Sequence, residues 1–335
     1  MEFLKITFLS VLLNLLIYKI HPYLLRINFP IDRPDNIRKF HKTATLLSGG
    51  LIFFINLIFL FFFLNNLPFH LNFFDSILNI MSMEKFLTCV TLIFILGLLD
   101  DKYNIKPLLK FTVLIVIIFY FISGSNYITL NEIRLSFLSQ KFILEQLSIP
   151  FTILCYLLFI NAFNMFDGIN LQNAIYTLFV FVFFVSQNIF NNFLLLFLIP
   201  LFLFIFLNYR NKSFLGDSGC YLLSFIISLI CIQSYNRGQI LYADSIFIIM
   251  MLPGVDMFRL FITRILNKNN PFYPDRNHFH HILKNKIGEH KSILFISILN
   301  FFVFVLLLLQ INNIIIAVFF FIAYITSIYY CKKLS

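Results

Sequence analysis

Five polar clusters interrupt an otherwise apolar chain, and they hold the residues able to do chemistry. Asp100 and Asp101 are adjacent, follow Gly97-Leu98-Leu99, and have Lys110 ten residues on. Paired carboxylates beside apolar sequence are costly near lipid, so they should face a polar cavity or bind a cation. Neighbours on a helix point about 100° apart, so one can orient a substrate while the other meets a metal or an arginine. A solvated helix end explains them equally well. In the second cluster Asn161 and Asn164 share a helical face, and Asp167, Gly168 and Asn170 follow. Amide oxygens suit a hard cation, and Gly168 lets backbone approach a ligand closely. Packing alone accounts poorly for this polar density between two apolar stretches.

The third cluster, Leu215-Gly216-Asp217-Ser218-Gly219, stands where a loop enters an apolar run. An Asp between glycines at a helix start suits a magnesium ligand beside phosphate, because backbone N–H groups there favour anions. The string also resembles part of a serine-protease signature, but no suitably placed His-Asp pair lies around it in sequence, which disfavours a nucleophilic Ser218. Two further clusters are basic. Asp32-Arg33 through Arg38, Lys39, His41 and Lys42, with Gly49-Gly50 beyond, can hold phosphate oxygens against exposed backbone or serve as a plain positively charged loop. Pro274-Asp275-Arg276-Asn277-His278-Phe279-His280-His281 raises the possibility of zinc, but no Cys and no HExxH accompany it; imidazoles and Arg276 reading a pyrophosphate or sugar suit it better.

The elements that must position these residues are membrane helices. The chain is 60% hydrophobic and 12% charged, with a mean hydropathy of +0.90, against about 25% charged residues in soluble domains. Apolar runs of about 20 residues match the hydrocarbon thickness, and period-2 alternation is absent, which leaves a helical bundle. The expectation is an all-α, polytopic transmembrane bundle of about eleven spans, forming one integral-membrane domain over 1–335. The spans fall near 3–25, 44–64, 83–99, 107–124, 147–163, 173–187, 192–208, 218–234, 242–262, 292–310 and 313–331. The first run lacks a basic flank and a cleavage site, so it reads as a span rather than a signal peptide. With the N-terminus outside and the C-terminus cytoplasmic, every Lys/Arg-rich loop and all five clusters fall on the inner face. The net charge of +10 then attracts anionic headgroups or a phosphate-bearing substrate. The five cysteines lack metal or disulfide spacing and read as core residues.

Taken together, in their order along the chain and over about Asp32 to His281, these motifs resemble the polyprenyl-phosphate N-acetylhexosamine-1-phosphate transferases of glycosyltransferase family 4. The resemblance implies a magnesium-dependent enzyme, with manganese an alternative, of the inner or plasma membrane and with a cytoplasmic active site. It implies that a UDP-N-acetyl-amino sugar and undecaprenyl phosphate give the lipid-diphosphate sugar and UMP, with a homodimer plausible. By position, Asn164 and Asp217 resemble the metal ligands, and Asp100, Asp101 and Lys110 the catalytic group. Asn161, Asp167, Gly168, Asn170, Arg276, His278, His280, His281 and Lys42 resemble the substrate-binding set. The PDRNHFHH form is similar to the branch using UDP-GlcNAc-type sugars for O-antigen, lipopolysaccharide or teichoic-acid linkage synthesis. The phospho-MurNAc-pentapeptide branch usually carries three consecutive histidines.

The family's DGxDGL is here Asp167-Gly168-Ile169-Asn170-Leu171, with Asn for the second Asp and Leu for a Gly; Leu46 stands where a Pro is common. An amide still hydrogen-bonds a uracil edge, whereas the lost Gly puts the loop geometry in question. A transporter or flippase would gather charged groups at mid-membrane and show an inverted repeat, and neither is evident. A non-catalytic scaffold has no reason to retain these polar residues, and nothing points to nucleic acid.

Overall fold

The computed structural model describes residues 2–27, 29–33, 44–66, 83–123, 128–270 and 277–333. The chain divides into two compact units, one of residues 1–123 with 184–223, the other of 124–183 with 224–335.

In the first unit lie α1 (Glu2–Ile20), a 3-10 turn (His21–Ile27), α2 (Gly49–Asn66), α3 (Met83–Tyr103), α4 (Pro107–Ile122) and α7 (Asn191–Tyr209). Two short strands, β1 (Ile31–Asp32) and β2 (Thr45–Leu46), pair antiparallel. Pro107 opens α4 because its missing N–H falls where a helix has no partner to offer. Within apolar surroundings, polar side chains bond to one another. Asn14 donates to Asn56 Oδ1 at 2.8 Å, Asn56 returns the bond at 3.2 Å, and this joins α1 to α2. Phe54 and Phe94 stack at 4.2 Å between α2 and α3.

The second unit holds the hairpin β3 (Glu132–Arg134)/β4 (Lys141–Ile143), α5 (Ser148–Phe166), α6 (Gln172–Ser186), α9 (Ala243–Ile249), α10 (Met251–Leu266), α11 (Phe279–Ile287), α12 (Glu289–Leu308) and α13 (Asn313–Lys333). Helix α8 (Gly216–Asn236) begins in the first unit and ends in the second; all of its most apolar stretch is enclosed by protein.

Each expected apolar segment overlaps a described helix or helix pair. Among the described residues, six helices are long and apolar enough to cross a membrane, and a bent pair makes seven; α6, α4 and the described part of α2 are apolar but shorter. The chain is therefore a helical, multi-pass membrane protein. The expected single span over 242–262 is corrected: α9 and α10 meet at an 81° bend. Pro253 is the physical reason. Its ring cannot lie against the carbonyl of Ile249, four residues earlier, so the helix breaks between them. The carbonyl so released accepts the Tyr176 hydroxyl at 2.7 Å, in a fully buried setting. The two short antiparallel strand pairs are departures from an all-α fold.

Tyr176→Phe should leave the Ile249 oxygen buried without that donor and cost on the order of 1–3 kcal/mol. Thermal unfolding in detergent should register this as a lower melting temperature.

Candidate active site

The first-unit site is built around the start of α8. Gly216 opens the helix with φ +72°, a left-handed conformation that a side chain would strain. A Cβ there would also stand 2.8 Å from Asp101 Oδ2. Asp101 lies in the last turn of α3, past its apolar stretch, and caps α8 from outside. Its Oδ1 accepts the Asp217 N–H at 2.7 Å, and its Oδ2 accepts the Ser218 N–H at 3.1 Å and the Ser218 hydroxyl at 2.8 Å. A helix start leaves its first N–H groups unsatisfied, and a carboxylate also suits the positive end of the dipole. Burial, and then the charge of Asp217, nonetheless push the Asp101 carboxyl up to about 7.

This docking requires close backbone approach. Gly49 and Gly50 donate their N–H groups to the carbonyls of Phe214 and Leu215. A Cβ on Gly50 would meet Ser218 Oγ at 2.4 Å, and one on Gly97 would meet Ser218 Cα at 2.3 Å. The expectation that Gly49-Gly50 offers backbone to phosphate is thus corrected, because those N–H groups are spent on the loop leading into α8.

Asp100, 2% exposed, is fully engaged. Lys110 Nζ at 3.0 Å and the Tyr221 hydroxyl at 2.6 Å donate to its Oδ2, and the Ile105 N–H donates to Oδ1 at 2.9 Å. The structure brings Asp100, Asp101, Lys110 and Asp217 together, with Tyr221, whose role no sequence spacing announces. Ser218 is completely buried and bonded to Asp101, as a structural cap rather than a nucleophile.

Asp217 is half-buried at this helix start, and its charge acts on Asp101. A half-buried carboxylate is a hard-oxygen donor of the kind magnesium takes, so Asp217 fits the metal.

In the second unit the Asn161–Asn170 cluster closes α5. The helix stops at Phe166, with the Asp167 N–H on the Asn164 carbonyl at 3.2 Å and the Gly168 N–H on that of Phe166 at 2.9 Å. Asn161, Asn164, Asp167, Gly168 and Asn170 are half-buried. Asn161 Nδ2 points at the sulfurs of Met165 and Met257, at 3.5 and 3.2 Å. Gly168 is needed for a neighbour in the same chain: a Cβ there would lie 1.8 Å from His280 Nε2. Leu171, which stands where the resemblance places a glycine, adopts φ +67°, at a cost of roughly 1–2 kcal/mol.

His278, His280 and His281 follow on α11 and its entry, and their rings contact one another. His280 is 1% exposed; burial, and then the positive charge of His281 and His278, hold its pKa well below the usual imidazole value. Asp256, 2% exposed, lies beside them. A carboxylate in an apolar run, with Arg259 three residues on, is its signal in the sequence. Lys42 and Arg276 lie outside the described residues.

A multi-pass helical protein with paired carboxylates, a lysine and a helix N-terminus gathered at one polar site is equipped to handle phosphate-bearing substrates. The model of glycosyl transferase family 4 matches residues 83–235. The chain is 27% identical over 312 residues to the probable undecaprenyl-phosphate N-acetylglucosaminyl 1-phosphate transferase of Bacillus subtilis strain 168, covering 88% of this chain and 82% of that one. The undecaprenyl-phosphate alpha-N-acetylglucosaminyl 1-phosphate transferase of Thermotoga maritima is 28% identical over 265 residues, 79% of this chain and 76% of its own. Its namesake in Escherichia coli K12 is 24% identical over 266 residues, covering 76% and 68%.

Gly97→Ala should force α3 away from Ser218 and cost about 1–3 kcal/mol by overpacking. A thermal melt of the purified protein checks this, and a variant as stable as the parent would contradict the close docking.

Proposed function

We propose that this enzyme transfers N-acetylglucosamine 1-phosphate from its UDP derivative to undecaprenyl phosphate, giving the lipid-diphosphate sugar and UMP. Such a transfer would be the first membrane step of a cell-surface polysaccharide. The observation that carries this reading is the convergence of Asp100, Asp101, Lys110 and Asp217 on the start of α8, in a chain whose relatives are named as undecaprenyl-phosphate N-acetylglucosaminyl 1-phosphate transferases. An oxygen of the lipid phosphate attacks the β-phosphorus of the UDP-sugar, the bond from that phosphorus to the bridging oxygen breaks, and UMP leaves with the oxygen.

Both reactants are anions, so the barrier falls mainly through positioning and charge neutralisation. Lys110 supplies a cation held in place by Asp100, and the N-terminus of α8 supplies oriented N–H dipoles. A phosphate monoester with its last pKa near 6 is already largely ionised at neutral pH, so no strong base is required. Asp100 and Asp101 have their oxygens occupied by internal donors, which favours direct transfer over an aspartyl-phosphate intermediate. We assign Asp217 as a ligand of magnesium, which when bound would neutralise diphosphate charge.

The orientation proposed has the N-terminus outside and this site in the cytoplasm. Its support is that Lys102, Lys106, Lys110, Arg210, Lys212, Lys284, Lys286, Lys332 and Lys333 all flank apolar helices on what the alternation of spans makes one side.

Purified protein in detergent, given undecaprenyl phosphate, magnesium and a panel of UDP-N-acetyl sugars that includes UDP-MurNAc-pentapeptide, should release UMP with UDP-N-acetylglucosamine. Chelation of the metal or Asp217→Ala should lower the rate by at least about 100-fold. Release with the pentapeptide donor alone, or no release from folded protein, would overturn the assignment.

A further inference from the structure

Asp256 sits where three segments of the second unit meet. Its Oδ1 accepts the Arg259 guanidinium at 2.7 Å and the Tyr324 hydroxyl of α13 at 2.7 Å; the Phe279 N–H, at the start of α11, lies 3.1 and 3.2 Å from its two oxygens. Its Oδ2 faces His278 Nδ1 at 3.2 Å. Arg259 also donates to Tyr324 and to the Asn277 carbonyl, so the whole entry to the histidine segment is tied to α10 and α13. One atom each of Asp256, His278 and His280 falls within 4.8 Å of the others, close enough for a metal ion. Asp256 already receives four protein donors, which marks it as a hydrogen-bond hub.

We propose that Asp256 is a positioning residue that acts through His278, fixing its tautomer and ring orientation for contact with the diphosphate of the donor substrate; this rests on the transfer reaction proposed above. An ionised carboxylate is acceptor-only, so the proton between the two must reside on His278 Nδ1. That leaves Nε2 as the nitrogen for substrate. When both ring nitrogens carry protons, Nδ1–H stays on Asp256 and Nε2–H is the donor turned to a phosphate oxygen, the orienting role an aspartate plays for a catalytic histidine elsewhere. His280 differs: it is enclosed, and its Nε2 abuts Gly168. Of these two rings, His278 is the less enclosed and the one equipped to reach a ligand.

Two measurements test this. In protein labelled with 15N-histidine, with the His278 signal identified by its loss in His278→Gln, the ring of the otherwise unaltered protein should carry its proton on Nδ1 at a pH where it is neutral. An Nε2–H tautomer would overturn the proposal whether or not the enzyme shows activity. In the UMP-release assay, His278→Gln and Asp256→Asn should each lower kcat/KM about 10- to 100-fold. Asp256→Asn added to His278→Gln should cost less than about 2-fold more. Independent, multiplying losses would show that Asp256 acts elsewhere. If UMP release fails with every donor, the reaction assignment falls while the tautomer measurement still decides the role of Asp256.

Discussion

A carboxylate at the edge of a membrane protein has to find donors within the protein, and Asp101 meets that demand by accepting the first N–H groups of α8. The same contact relieves a second cost, the unsatisfied donors of a helix that begins against other helices. Much of the first unit follows from it. Gly216 must turn left-handed to start the helix under Asp101, Gly50 and Gly97 must be bare for Ser218 to approach, and the loop before α8 must be pinned by the Gly49 and Gly50 N–H groups. Asp217 is thereby held at a fixed point beside the Asp100–Lys110 pair.

The adjacent aspartates divide their work. Asp100 is buried and gathers Lys110, Tyr221 and the turn after α3, while Asp101 faces α8. Neighbouring side chains on a helix diverge, so a pair can bind two different segments where one residue could not. An arrangement whose donors are already placed needs little reorganisation when an anionic substrate arrives, and this favours phosphoryl transfer.

The second unit solves a related problem around Asp256 and the broken helix. Pro253 ends one helical path, Tyr176 satisfies the carbonyl this releases, and α10 departs at a new angle that brings Asp256 to the histidine segment. Gly168 supplies the room that His280 occupies, which ties the end of α5 to α11. The left-handed Leu171 shows that the turn after α5 is imposed by its surroundings and not by local preference.

By itself the sequence determined the helical membrane class, since runs of about 20 apolar residues admit few other structures. It also marked most of the polar residues that the structure gathers, because charges beside lipid stand out against such a background. Pro253 and Asp256 were visible there too, but their meaning was not, because a break and a buried carboxylate acquire partners only when distant segments meet. Tertiary structure alone decided that Gly49, Gly50 and Gly168 lie tight against other parts of the protein, that Lys110 is paired with Asp100, and that Tyr221 and Tyr324 complete the two hubs. Spacing along a chain reports which residues share a helical face, whereas a hydrogen bond between residues more than 100 positions apart depends on packing that no local pattern encodes.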